Sequence, residues 1–261
     1  MLLTMGISPC PNDVFIFAGI LTRAVEAEGL EFRICYEDVE TLNVLAQKGA
    51  LDAAKISCAN YLRVEGDYRM LGCGGALGRG VGPLLLTNGG SFDPASEVLV
   101  PGEFTTANFL LDYYAQSPLR KRYVPFDVLY DELLARPGAQ GVVIHEKRFT
   151  YEKDGLALTQ DLGEYWEART GYAIPLGAIV VRKSLDIAER LEAVIRRSLR
   201  WSHAHYEEAF ALCRKHAQDL DPHVVKSHID LYVNAYSDTL GTEGEAAIRF
   251  FLEQQRKLAP R

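Results

Sequence analysis

Nowhere in this 261-residue sequence do eighteen apolar residues follow one another, so no membrane-spanning helix is expected. An excess of basic charge is missing as well. Lys and Arg number 28 against 35 Asp and Glu, a net charge of −7 at pH 7. A surface that tracks nucleic-acid phosphates is therefore disfavoured. The first residues carry neither a basic stretch nor an adequate apolar one, so no export signal is expected and the cytoplasm is the expected compartment. The five cysteines, at 10, 35, 58, 73 and 213, are odd in number, scattered and without a CxxC spacing. They read as reduced thiols, not as a disulfide framework or a zinc site. Also absent are GxGxxG, GxxxxGK[ST], HExxH and GxSxG, which argues against a nucleotide loop, a zinc hydrolase and a serine-hydrolase elbow. No solenoid repeat or low-complexity segment occurs.

What is present is an ordinary globular composition, 48% apolar and 24% charged, in a chain long enough for a large core in one or two lobes. Strand-like and helix-like runs alternate through the first two thirds. "LLTMGIS", "LEFRICYE" and "DAAKIS" read as strands. Between and after them, helices are expected from Asp13 to about Ala27 (amphipathic), over "ETLNVLAQKG" and over "CANYLRVEG". The βαβα order implies a mainly parallel sheet covered by helices. A strand is expected at 83–87, and "NGGSFDPASE" (88–97) reads as a linker. A second α/β set follows: strand "EVLVPG", a helix over 105–116, a strand near "RYVPF", a helix near 128–135 and strand "GVVIH". "GYAIPLGAIVVRK" reads as a strand that crosses back, and from Leu185 onward the pattern is helical. The expected architecture is α/β, a bilobed clamshell of the type-II periplasmic-binding-protein kind with a helical C-terminal segment. Residues 1–89 and 176–261 would form one lobe and 90–175 the other, with a ligand cleft between them.

Three strand-to-helix turns share one design. In "GISPCPND" two prolines stiffen the chain, with Asn12 or Asp13 read as the helix cap. "AKISCANYL" ends its strand at Ser57, and "PGEFTTANFLL" opens a helix at Thr105 and Thr106. Helix starts offer unpaired N–H groups and partial positive charge, which suits a small carboxylate. Plain capping is the competing reading for each hydroxyl taken singly. The Gly-rich 72–82 leads into a strand, unlike a phosphate loop, though its Arg79 is placed to reach a cleft or, equally, to lie in a surface ion pair. His145 stands out because it closes an apolar strand where a cleft should lie, and imidazole exchanges protons near neutral pH. The alternative for His145 is a structural histidine in a turn. His203 and His205 sit i, i+2 on a helix and do not face the same way, and His216, His223 and His228, without metal-ligand spacing, are read as solvated or capping residues. Cys10 lies near a helix start, but nothing in the sequence sets a base beside it, so it is read as part of the stiff turn.

Taken together, "SPCPNDVFIF" (8–17), "EDVETLN" (37–43), "KIS" (55–57), "GGALGRGVGPL" (74–84), "VPGEFTTANFLL" (100–111), "GVVIHEKRFTY" (141–151), "DLGEYWEARTG" (161–171) and "PLGAI" (175–179) resemble the 1,4-dihydroxy-6-naphthoate synthase family. These enzymes cleave cyclic dehypoxanthine futalosine in the futalosine route to menaquinone. Val14 stands where the family usually has Thr. The resemblance implies a cytoplasmic carbon–carbon lyase with the bilobed fold, working without metal or redox cofactor. It makes His145 the proton acceptor and implies Lys55, Ile56, Ser57, Thr106 and Ala107 as substrate contacts. Thr105, Asn12, Asn43 (the end of "EDVETLN") and Arg79 are included in the same expected site. The substrate would be a spirocyclic ribose adduct bearing a benzoate-type carboxylate. A base removes a proton, the carbon skeleton fragments and the naphthalene ring aromatises. Chorismate dehydratase of the same pathway is one alternative. A non-catalytic small-carboxylate-binding protein is another, disfavoured by the missing export signal. No nucleic acid or membrane partner is expected, and the helical tail has apolar faces enough for a homodimer.

Overall fold

The computed structural model describes residues 1–217 and 221–258. Apolar runs at the start of the chain form β1 (Leu2–Ile7) and β2 (Glu31–Tyr36), joined by α1 (Pro11–Leu21). Next come α2 (Val39–Gln47), β3 (Ala53–Ser57), a 3₁₀ turn Cys58–Asn60 with the short α3 (Tyr61–Val64), β4 (Tyr68–Met70) and β5 (Ala76–Gly78). These strands, with β11 (Ile174–Arg182), make one sheet in the order β2-β1-β3-β11-β4, and β5 also pairs with β11. The second sheet contains β6 (Leu84–Thr87), β7 (Val98–Val100), β8 (Lys121–Tyr123), β9 (Gln140–Val143) and β10 (Ala157–Asp161), in the order β10-β6-β9-β7-β8. Its helices are α4 (Thr106–Ala115), α5 (Phe126–Ala135) and α6 (Leu162–Thr170). The C-terminal part is helical: α7 (Ala188–Ala204), α8 (Tyr206–His216), α9 (Pro222–Tyr232), α10 (Ala235–Asp238) and α11 (Gly241–Leu258).

Two expectations from the sequence change here. Both sheets are mixed, because β11 runs antiparallel to β3, β4 and β5, and β6 runs antiparallel to β9 and β10. A returning strand is invisible to a βα count, which reads alternation and not direction. The first crossing also lies earlier than residue 89. β6 already pairs in the second sheet, so the chain crosses within the Gly-rich residues 79–83, and 88–97 is a loop inside that sheet. Gly, Ser, Asp and Pro mark 88–97 as exposed loop, and composition alone does not say what a loop connects. The glycines of the true crossing serve close packing. A Cβ on Gly82 would come 2.3 Å from the backbone of Gly163, at the start of α6.

Helix α1 also differs from the amphipathic segment expected to run to about Ala27. Pro11 to Ile20 are all buried, because the helix is packed between the first sheet and α7, α8 and α9. A helix apolar on every side belongs inside a core and shows little one-sided pattern. It ends at Leu21, where Thr22 caps it and Arg23 turns the chain with a φ of 58°. Its core extends over Leu3, Met5, Ile7, Phe15, Phe17, Leu191 and Ile195. A second core joins Phe109 of α4 and Trp166 of α6 to Phe251 of α11, which also packs on β11, so the last helix bridges the first sheet and the helices of the second.

Candidate active site

The carboxyl ends of β1, β3 and β9 and the start of α4 converge on one cavity of about 760 Å³, mouth included. That is the place where open α/β sheets take their ligands. Ser8, Asn12 and Asp13 enter from the first turn, Lys55 to Ser57 from β3, and Thr105 to Ala107 from α4. Ile144, His145 and Arg148 come from the turn after β9, and His228 and Tyr232 from α9. Among the described residues, no three of His, Cys, Asp and Glu are grouped so as to hold a metal ion.

The opening turn is built around a buried ion pair. Lys55 Nζ donates to Asp13 Oδ1 at 2.7 Å and to the Gly74 carbonyl at 2.9 Å. Ser8 Oγ donates to the other carboxylate oxygen at 2.8 Å, and Asn12 Nδ2 to Oδ1 at 3.0 Å. Neither Asn12 nor Asp13 caps α1, as the sequence had implied. Cys10 occupies the cap position without a side-chain bond, Pro11 fills the first helical place, and the Asp13 carboxylate is drawn inward to its cation. Pairing and three neutral donors to Asp13, the Ser8 N–H and Oγ and Asn12 Nδ2, are what let both charges stay at 2–4% exposure.

The other two turns touch each other. Thr106 Oγ1 donates to the Leu176 carbonyl at 2.7 Å and accepts from Ala59 N–H at 3.3 Å, tying α4 to the turn after β3. Thr105 is the true cap of α4, accepting from Asn108 N–H at 3.1 Å. Ser57 Oγ accepts from Asn43 Nδ2 at 3.1 Å, while the Ser57 N–H donates to Asn43 Oδ1 at 2.9 Å. The Ser57 hydroxyl hydrogen is therefore free to donate to a ligand.

His145 follows β9 with a φ of 60°, a left-handed conformation uncommon for residues other than glycine, and begins a 3₁₀ turn over 145–149. Its Nδ1 lies 3.4 Å from Cys10 Sγ, and its ring packs edge-on against Phe126, 4.7 Å between centroids. Burial lowers its pKa from 6.5, only partly offset by the charges of Glu146, Asp13 and Asp38. A neutral imidazole at neutral pH is the form that accepts a proton. Burial, together with the Glu146 charge, pushes the Cys10 thiol well up, so it stays protonated beside the ring. A base does sit beside Cys10, which the sequence could not reveal, yet the thiol lacks thiolate character.

Of the residues expected from sequence, His145, Lys55, Ile56, Ser57, Thr105, Thr106, Ala107 and Asn12 line the cavity. Asn43 and Arg79 do not. Asn43 is fully buried behind the wall, where it fixes Ser57 and bonds the Phe104 carbonyl. Arg79 lies at the surface, paired with Glu243 at 3.3 Å and donating to the Gly171 carbonyl. The flexible glycines around Arg79 carry the crossing, not a ligand contact.

Arg148, His228 and Tyr232 also line the cavity and were not expected there. Arg148 donates to the Gly82 carbonyl and pairs with Asp161 at 3.2 Å. His228, taken from sequence as solvated, is 1% exposed and bonds Asn12 through Nε2 at 2.9 Å. Its burial was legible in the helical spacing, since Val224, His228 and Tyr232 recur every fourth residue on one face.

Comparison with known proteins gives the chain a family and a fold. A family model described as menaquinone biosynthesis matches residues 3–257. A protein of Thermus thermophilus named 1,4-dihydroxy-6-naphthoate synthase is 44% identical, the alignment covering 98% of this chain and 94% of that one. A Streptomyces coelicolor protein of the same name is 39% identical, covering 96% and 91%. Among solved structures, a protein of Archaeoglobus fulgidus superposes with a TM-score of 0.92 at 27% identity, covering 98% and 97%. An alkanesulfonate-binding protein from Xanthomonas axonopodis superposes at 0.70 with 12% identity, covering 100% and 94%, which speaks for the bilobed binding-protein fold alone.

Proposed function

The chain belongs to the menaquinone-biosynthesis family, and from that premise we propose that it forms 1,4-dihydroxy-6-naphthoate from cyclic dehypoxanthine futalosine. The observation that carries this reading is an imidazole at a left-handed backbone position, in the same cavity as two helix starts from two different sheets. The reaction class is carbon–carbon lysis. We divide the clamshell at the crossings, with residues 1–82 and 174–258 in one lobe and 83–173 in the other.

The helix starts supply the binding half of the chemistry. The free Ser57 hydroxyl and the unpaired N–H groups at the start of α4, including that of Ala107, suit the benzoate carboxylate. Thr106 is spent on holding the two turns together, so its part is positioning. His145 supplies the other half by taking a proton from the spiro-ribose carbon framework, after which the skeleton fragments and aromatisation drives the reaction forward. Holding base and substrate in one orientation, with water excluded by the closed lobes, accounts for most of what the protein must add.

The test is incubation of purified protein with cyclic dehypoxanthine futalosine and, separately, with chorismate, following product by absorbance and mass. Dihydroxynaphthoate from the first substrate alone is the expected result. Turnover of chorismate, or tight carboxylate binding without turnover of either, would replace the reading.

A further inference from the structure

We infer that His228 Nδ1 accepts a hydrogen bond from a hydroxyl on the sugar-derived part of the bound substrate. This rests on the functional reading above. The tautomer of His228 follows from a chain of bonds that starts at the ion pair. The Asp13 carboxylate can only accept, and it already receives Lys55 Nζ and Ser8 Oγ. Asn12 Nδ2 donates to Asp13 Oδ1, which turns Asn12 Oδ1 toward His228 Nε2 at 2.9 Å. An amide oxygen can only accept, so Nε2 carries the ring proton. Nδ1 is left as a bare lone pair, and among the described residues it has no hydrogen-bond partner.

The surroundings keep it so. Burial holds the His228 pKa well below 6.5, and the Arg148 charge, joined by His145 once that ring is protonated in acid, pushes in the same direction, so the ring stays neutral. Tyr232, 4.6 Å away between ring centroids, packs against it. Buried acceptors are normally satisfied, and this one belongs to a side chain that lines the cavity. A ligand hydroxyl can satisfy it, whereas a ligand carboxylate cannot. The His145 and His228 rings lie 6.3 Å apart by centroid with planes inclined by 15°, so a hydroxyl held by one is near the atoms served by the other. The opening turn thereby acquires a purpose beyond stiffness. Its Asp13 and Asn12 transmit a fixed orientation from Lys55 to a ligand acceptor.

Two substitutions separate this role from a structural one. His228→Gln reproduces the Nε2 donor toward Asn12 but has nothing at the Nδ1 position. His228→Asn places an amide oxygen near the Nδ1 position but cannot reach Asn12. Each is assayed for kcat/KM on cyclic dehypoxanthine futalosine and for Kd of 1,4-dihydroxy-6-naphthoate, which has lost the sugar hydroxyls. His228→Gln is expected to lower kcat/KM by about 30-fold or more while leaving the naphthoate Kd within about threefold, because a buried polar contact is lost only with the sugar. His228→Asn is expected to keep kcat/KM within about tenfold of wild type. Wild-type kcat/KM in His228→Gln, or a parallel loss of naphthoate affinity in both variants, would overturn the inference and leave His228 as cavity wall. A wild-type protein that makes no naphthoate would instead remove the functional reading itself.

Discussion

The turn after β1 and the turn after β9 meet at Cys10 and His145, yet they are held in opposite ways. The first turn is fixed by its side chains: a buried Lys55–Asp13 pair, Ser8 and Asn12, and two prolines that limit the backbone. The second is tied down only at its far end, where Arg148 bonds the Gly82 carbonyl and pairs with Asp161, while His145 itself stands in a left-handed conformation with no side-chain cap on the 3₁₀ turn it starts. One turn is a satisfied network and the other a strained presentation of a single ring. The difference teaches where each kind of function can sit. A network that satisfies every charge is suited to orienting a ligand, whereas a base needs an imidazole whose lone pair is not committed to strong partners.

That contrast is sharpened most by His145→Ala. It should lower kcat by about 10²- to 10⁴-fold, the range for loss of a general base, while the naphthoate Kd changes little. Replacing Asp13 by Asn strikes the other turn. It leaves the Lys55 ammonium buried without its counter-charge and should lower stability by about 3–5 kcal/mol, read in urea unfolding. If Asp13→Asn lost activity at unchanged stability, the network would be catalytic and the contrast would fail. Thr106→Val cuts the tie between the two helix starts and should cost about 1–2 kcal/mol, seen as a several-fold rise in KM with kcat nearly kept.

Acidification tests both turns at once. His145 and His228 have folded pKa values pushed below 6.5, so the unfolded chain binds more protons than the native one between those values and 6.5. Their contribution to stability is fully present above 6.5 and is lost as pH falls below it. For the same reason kcat/KM should rise with pH through a pKa below 6.5, and His228→Gln should flatten the acid loss of stability without removing the His145 limb of the rate profile. The smallest effect belongs to Arg79→Ala. Its exposed pair with Glu243 is worth about 0–1 kcal/mol, and its distance from the cavity predicts wild-type kcat/KM.

Arg79 and His228 also mark the limits of reading the site from the sequence. Alternation of apolar runs was enough for the bilobed fold, and the three strand-to-helix turns for Asn12, Ser57, Thr105 and Thr106 of the cavity wall, because a helix start at the end of a strand is a local pattern; Lys55, Ile56 and Ala107 came from the family resemblance. Arg79 misled because glycines signal close approach without saying to what, and here Gly82 approaches the backbone of Gly163. His228 was missed although its spacing placed it on a buried face. Its partner, Asn12, stands 216 positions earlier in the chain, and no local pattern records such a pairing. The same holds for Cys10 and His145, which are 135 positions apart. The switch of β6 into the second sheet depended on pairing with β9, again a non-local fact.

The most direct test of the account is a crystal structure of the protein with 1,4-dihydroxy-6-naphthoate bound. The account predicts the carboxylate within hydrogen-bond distance of Ser57 Oγ and the backbone N–H groups opening α4, with the ring edge directed at His145. Naphthoate seated elsewhere, such as the outer groove lined by Arg63, Asp112 and Gln254, or turned with its carboxylate toward His145, would contradict it.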